Sequence, residues 1–128
     1  MRDPLGARSA LEICDLLGPD NELIHVKRAA GSAPLSHLFS QGLVSAQSLV
    51  TSPMVRERFV ETVKGLPRGR VLPTDFKPTK VVYAILLENG KDLTPETLFP
   101  FSQATLAHAA RILGMYGIVV EVIGIPAA

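Results

Sequence analysis

Between Lys80 and Ile123 the chain spells a strand, a helix and a strand in succession, and this triplet constrains the fold more than any other feature. Lys80-Val-Val-Tyr-Ala-Ile-Leu-Leu87 is a continuous apolar run, the pattern of a strand buried on both faces. Ser102 is placed to cap a helix whose Leu106, Ala109, Ala110 and Leu113 share one stripe, and Gly117 stands where such a helix ends. Ile118-Val-Val-Glu-Val-Ile123 is a second apolar run. Strand, helix and strand at this spacing close as a right-handed crossover between parallel strands. The expected fold class is therefore α/β.

Upstream, Ala10–Leu17 and Glu22–Arg28 read as two strands around Gly18-Pro-Asp-Asn21, whose residues suit a tight turn. Two strands so closely joined form an antiparallel hairpin. From Pro34 to Val50 the period becomes helical, with Leu35, Leu38, Phe39, Leu43 and Ala46 on one face and Gly42 as a weak point. Ser52-Pro53 has the form of a helix start, followed by a helix over Met54–Lys64 with Val55, Phe59 and Val63 inward. The predicted order is β-β-α-α-β-α-β in a single domain over residues 1–128: a mixed sheet with an antiparallel hairpin, then helices, then a C-terminal βαβ unit.

Hydrophobic residues make up 47% of the chain but aromatic ones only 5%, with no Trp. The core must therefore come from Leu, Val, Ile and Ala. The single cysteine, Cys14, excludes an internal disulfide and a cysteine-built zinc cage. Met1-Arg-Asp-Pro4 carries no apolar stretch of the signal-peptide kind, and no apolar run reaches membrane-span length. The expectation is a cytoplasmic protein with no membrane partner.

The hairpin carries the best candidate site. Alternate residues share a strand face, so Asp15 lies between Ile13 and Leu17, and His25 between Leu23 and Lys27. A three-residue loop, Pro19-Asp-Asn21, pairs Gly18 with Glu22 and brings Asp15 opposite His25, with Lys27 beyond on the same side. A loop of two or four residues would turn His25 and Lys27 to the other face. The three-residue register is expected because it also collects Cys14, Leu16, Ile24 and Val26 into one apolar face for the core, leaving Asp15, His25 and Lys27 toward a cleft. Asp15 and His25 could hold a divalent cation, with Lys27 next to a metal-activated water. The bland alternative is a His25–Asp15 hydrogen bond and a Lys27 that reaches to solvent. Cys14, on the face opposite Asp15, reads as core.

Asp15, nine intervening residues and then His25-x-Lys27 on the second strand of a hairpin, followed by a helix, resemble the PD-(D/E)xK nuclease superfamily. The resemblance implies a restriction-endonuclease-like core and hydrolysis of DNA or RNA phosphodiesters with Mg²⁺ or Mn²⁺. It also implies roles: Asp15 and His25 as metal ligands, and Lys27 as the cation that stabilises the attacking hydroxide or the developing phosphoryl charge. Gln41, in Leu38-Phe-Ser-Gln41, resembles the helix glutamine that lies near the metal in some of these nucleases. His25 stands where the superfamily has an acid or a glutamine, and Cys14 where it has proline. A second resemblance covers more of the chain. Glu22–Arg28, Leu35–Ser45, Val81–Ile85 and Phe101–Arg111 with the following Gly117 are similar to the C-terminal part of an uncharacterised, sporadically distributed bacterial family of much longer proteins. That likeness implies a fragment or a stand-alone copy of one end, and its patchy occurrence implies a defence-related setting.

The formal charge is only +1, so any anion binding must come from local clustering. Arg56, Arg58, Lys64, Arg68, Arg70, Lys77 and Lys80 crowd one segment, and Arg28 ends the second strand. Of these, Arg28, Arg56, Arg68, Arg70 and Lys77 are the candidate phosphate contacts for DNA or RNA. Two functional readings stay open. One is a nucleic-acid-binding, metal-dependent nuclease with Asp15, His25, Lys27 and Gln41 in its site. The other is an inactive remnant that serves as a binding or assembly module. The first requires Asp15, His25 and Lys27 to converge in an open cleft; the second would bury or scatter them. A homodimer, or a missing N-terminal portion of a longer chain, is expected to cover the exposed sheet edge.

Overall fold

The computed structural model describes residues 13–28, 32–87 and 100–126. Its elements are β1 (Leu16–Leu17), β2 (Glu22–Arg28), α1 (Ser32–Thr51), α2 (Pro53–Lys64), β3 (Lys80–Leu86), α3 (Pro100–Gly114) and β4 (Val119–Ile125). The order matches the one expected. The described strands form a mixed sheet ordered β1-β2-β3-β4, antiparallel between β1 and β2 and parallel thereafter.

Local chemistry sets the boundaries. Ser52 caps α2, its hydroxyl accepting from the Val55 amide at 3.3 Å, with Pro53 in the first turn. Arg56 closes the end of α1 by donating to the Leu49 and Val50 carbonyls at 2.9 and 3.2 Å, which satisfies acceptors a helix end leaves over. After α3, Gly117 takes φ +76°. Its amide donates to the Gly114 carbonyl and the Ile118 amide to the Leu113 carbonyl, each at 3.0 Å. That is a Schellman motif, and its apolar contact is Leu113 with Ile118, both in the core. Ser102 is therefore not the cap of α3: the helix begins at Pro100, and Ser102 is buried in its first turn, 3.2 Å from the Ser36 hydroxyl of α1.

Gly42 does not interrupt α1. A side chain there would collide with the Tyr83 ring, so the glycine is what lets the helix lie close on β3. Tyr83 fills that contact, donating its hydroxyl to the Phe39 carbonyl at 2.9 Å and meeting the Phe39 ring edge-on at 4.9 Å. Val81 to Ile85 are buried throughout, as the unbroken apolar run requires.

The layering follows from handedness. β2, β3 and β4 run parallel and are added in one direction, so right-handed crossovers place their helices on the same face. That face carries Leu23 and His25, Val81, Tyr83 and Ile85, and Val120 and Val122, matched across the strands by the register. α1 and α3 pack against each other and over it. This corrects the expected core side of the hairpin. Leu23 is fully buried and His25 nearly so, whereas Leu16, on the side read as core, is 58% exposed and Ile24 and Val26 are half-buried. Apolar count chose the wrong side because the crossovers, not the hairpin, decide where the helices go.

Candidate functional site

The hairpin register is the expected one. Leu16 pairs with Ile24 and Leu17 with Leu23, and the Gly18 amide donates to the Glu22 carbonyl at 2.8 Å. The turn is the three-residue kind, with Asn21 at φ 67° in the left-handed region that asparagine tolerates. The Asp20 amide donates to Glu22 Oε1 at 2.8 Å.

The first strand is shorter than the predicted Ala10–Leu17. Residues 10–12 lie outside the described residues, and the ladder stops at Leu16. Asp15 explains the stop. Its amide donates to the Ile24 carbonyl at 2.9 Å, where regular pairing would set Asp15 opposite His25 with its amide turned away from β2, and its carboxylate accepts from the Val26 amide at 2.7 Å. A side chain has replaced the next rung of the ladder. Cys14 is half-buried beside it, and burial pushes its thiol up to about 11, with the Ile24 backbone opposing the shift. It is held as a thiol, consistent with core packing.

His25 retains 5% of its surface and stacks on Tyr83 with ring centroids 5.7 Å apart. Its Nε2 is buried and meets no hydrogen-bonding partner. Burial lowers its pKa below 6.5, and the Asp15 charge offsets part of that shift. Lys27 is exposed two residues on, on the same side of the sheet. Gln41 is exposed on α1, about 200° round the helix from the Phe39 that covers Tyr83. The structure thus brings Asp15 within electrostatic reach of His25, but separates the group by exposure: His25 beneath the helices, Asp15 at the strand edge, Lys27 and Gln41 in solvent.

As a metal centre the pair is thin. Among the described residues no three His, Cys, Asp or Glu side chains lie together in a way that could hold a metal ion. Mg²⁺ takes a near-octahedral shell of oxygens. One carboxylate already bonded to a backbone amide and one buried imidazole do not fit that demand, so no catalytic step is derived through the ion.

The basic residues are likewise spread out. Arg70 donates to the Asn21 side chain at 3.1 Å and the Gly18 carbonyl at 2.7 Å, and so clamps the hairpin turn. Thr79 adds two bonds to the same turn, its amide to the Asn21 carbonyl at 3.1 Å and its hydroxyl to the Asp20 carbonyl at 2.5 Å. Arg56 caps α1, as above. Arg28, Arg68 and Lys77 are exposed. The turn held by Arg70 and the Arg28 end of β2 lie about 20 Å apart at the usual rise per strand residue. Arg56 and Arg70 thus have partners within the fold, and Arg28, Arg68 and Lys77 are the exposed ones.

Sequence reasoning missed Tyr83 as the neighbour of His25. The signal was unavailable, because the two meet through the parallel register of β2 on β3, which no local pattern specifies. Ser102, expected as a cap, is buried, and so is its neighbour Ser36.

Fold and site together define an α/β domain in which α1 and α3 lie over one face of a mixed sheet, with a buried histidine beneath them. The chain belongs to the DUF6119 family, a family of unknown function whose model matches residues 1–126. No curated protein and no solved structure matches it. Among the described residues no helix is long and apolar enough to cross a membrane.

Proposed function

We propose that this domain is a binding or assembly module without hydrolytic chemistry of its own. The observation that carries the reading is the burial of His25, whose Nε2 faces protein interior and not a cleft. Two further observations support it. The Asp15 carboxylate is occupied in ending the β1–β2 ladder, and Arg56 and Arg70 spend their donors on backbone carbonyls or a turn asparagine. Of the residues that resemble a nuclease site, Asp15 and His25 are engaged in holding the fold, while Lys27 and Gln41 stand apart from them in solvent.

The experiment is a cleavage assay on single- and double-stranded DNA and on RNA, with Mg²⁺ or Mn²⁺ and with chelator. The expected result is no metal-dependent cleavage by the wild-type chain above that of Asp15→Ala. Cleavage that needs the metal and disappears in Asp15→Ala would overturn the reading and restore the nuclease, in which Asp15, His25 and Lys27 act together.

A further inference from the structure

The two edges of the sheet are built differently. β1 is two residues long, and the Asp15 carboxylate takes the next outward amide of β2. That edge is blunted in ways that oppose further pairing. β4 is seven residues long, and among the described residues no strand lies along its outer side. The Val119 amide donates to the Thr79 carbonyl and the Ile125 carbonyl accepts from the Leu87 amide. Odd-numbered residues of β4 therefore face β3, and Val120, Val122 and Gly124 direct their amides and carbonyls outward.

The strand lacks the usual protection of an edge. It has no lysine and no proline, and its one charge, Glu121, is paired with Lys80 of its own sheet at 3.5 Å. On the face away from the helices it exposes Val119 at 57%, Ile123 at 41% and Ile125 at 37%. These features are arranged about Val122. The outward residues 120, 122 and 124 map onto themselves when the strand is reversed about that point, and Val119 maps onto Ile125. Reversed about Val122 the strand can meet a second copy of itself across a two-fold axis, with Glu121 beside Ile123 of the other copy. The neutralised Glu121 leaves no like-charge barrier to that approach.

We propose that β4 pairs antiparallel with β4 of a second copy, centred on Val122. Val122 then faces Val122 of the other copy, Val120 faces Gly124, and Val119 packs against Ile125. The three outward residues of each strand exchange about six interchain hydrogen bonds, and the two sheets become one continuous sheet. The pairing gives the assembly reading above a partner, and it rests on that reading.

The test uses the chain as it is, by light scattering and by amide exchange at low and high concentration. At about 200 µM the mass is expected to be twice the 13.7 kDa of one chain. Exchange at Val120, Val122 and Gly124 is expected to slow at least about tenfold with concentration, while the inward amides of Val119, Glu121 and Ile123 are protected at all concentrations. Val122→Pro removes the central outward amide and should give a monomer. Where that variant loses its fold by circular dichroism, a second pair decides: Val119→Asp and Ile125→Lys should each weaken the dimer, and mixing the two should restore it, because those positions face each other. A wild-type monomer at high concentration overturns the pairing. So does a dimer whose three outward amides exchange as fast as in the monomer, or one indifferent to the substitutions. Metal-dependent cleavage would overturn the module reading instead, whatever the mass; a monomer that does not cleave overturns the pairing alone.

Discussion

In the βαβ half of the sheet, Val81, Tyr83 and Ile85 press into one cluster with Leu113 and Ile118, closed by the helix-ending glycine at 117. In the hairpin half, β1 has two residues, the turn is held by Arg70 and Thr79, and the open end of the ladder by the carboxylate of Asp15, all bonded at or near the surface. The first half is held by apolar area removed from water; the hairpin shares that core through Ile13 and Leu23, but its turn and open end depend on polar side chains. The first kind of contact is costly to disturb. The second is replaceable by water at modest cost. His25 sits where the two halves meet, in register with Tyr83, whereas Asp15 lies on the outer edge of the hairpin, and this is why the one is buried and the other is not.

The largest effect is expected in the first half. Tyr83→Ala removes a fully buried ring from between Phe39 and His25, and the hydroxyl bonded to the Phe39 carbonyl. Large aromatic truncations of this kind cost about 3–5 kcal/mol, to be read from urea unfolding monitored by far-ultraviolet circular dichroism. Tyr83→Phe should cost about 1 kcal/mol, since only the hydrogen bond goes. A loss under about 1 kcal/mol for the alanine variant would mean that the helices do not hold this layer, and the contrast between the halves would collapse.

His25 gives an intermediate effect with a defined sign. Burial lowers its folded pKa below the ordinary 6.5, so the unfolded chain takes up the proton first as pH falls. Stability is therefore complete above about pH 6.5 and is lost progressively as pH drops from there toward the lower folded value. The Asp15 charge reduces the loss without reversing it. Urea midpoints at pH 8 and pH 5.5 should differ in the wild type and differ less in His25→Phe, which keeps a ring on Tyr83. Equal slopes in the two proteins would place the acid sensitivity elsewhere.

Much of this was legible in the residues. Ser52-Pro53 located a helix start and the apolar run from Val81 marked the central strand; the three-residue register of the hairpin was reached too, although from an apolar face that is not the core side. What the residues did not carry was direction. Counting apolar groups on the hairpin favours the side of Leu16, Ile24 and Val26, yet the crossovers to β3 and β4 put the helices on the other. The same ignorance of the β2–β3 register hid Tyr83 from His25. The roles of Arg56 and Arg70 were hidden for a related reason: a basic side chain bonded to a distant carbonyl has the same sequence signature as one awaiting a phosphate.

The smallest effect is expected at Asp15, where the two kinds of contact are easiest to tell apart. The carboxylate accepts one bond from the Val26 amide at an exposed edge. Water can take its place, so Asp15→Ala should cost less than about 1 kcal/mol. Asp15→Asn keeps an acceptor oxygen of nearly the same reach and should cost still less. A carboxylate that served chiefly as a charge, whether for a cation or for the histidine beside it, would show the opposite pattern. Asparagine would then be as damaging as alanine. Unfolding curves of the two variants, measured at pH 8 where His25 is neutral, isolate the ladder contribution from the charge. A loss at Asp15 as large as that at Tyr83 would break the comparison outright, since the hairpin edge would then be held as firmly as the core.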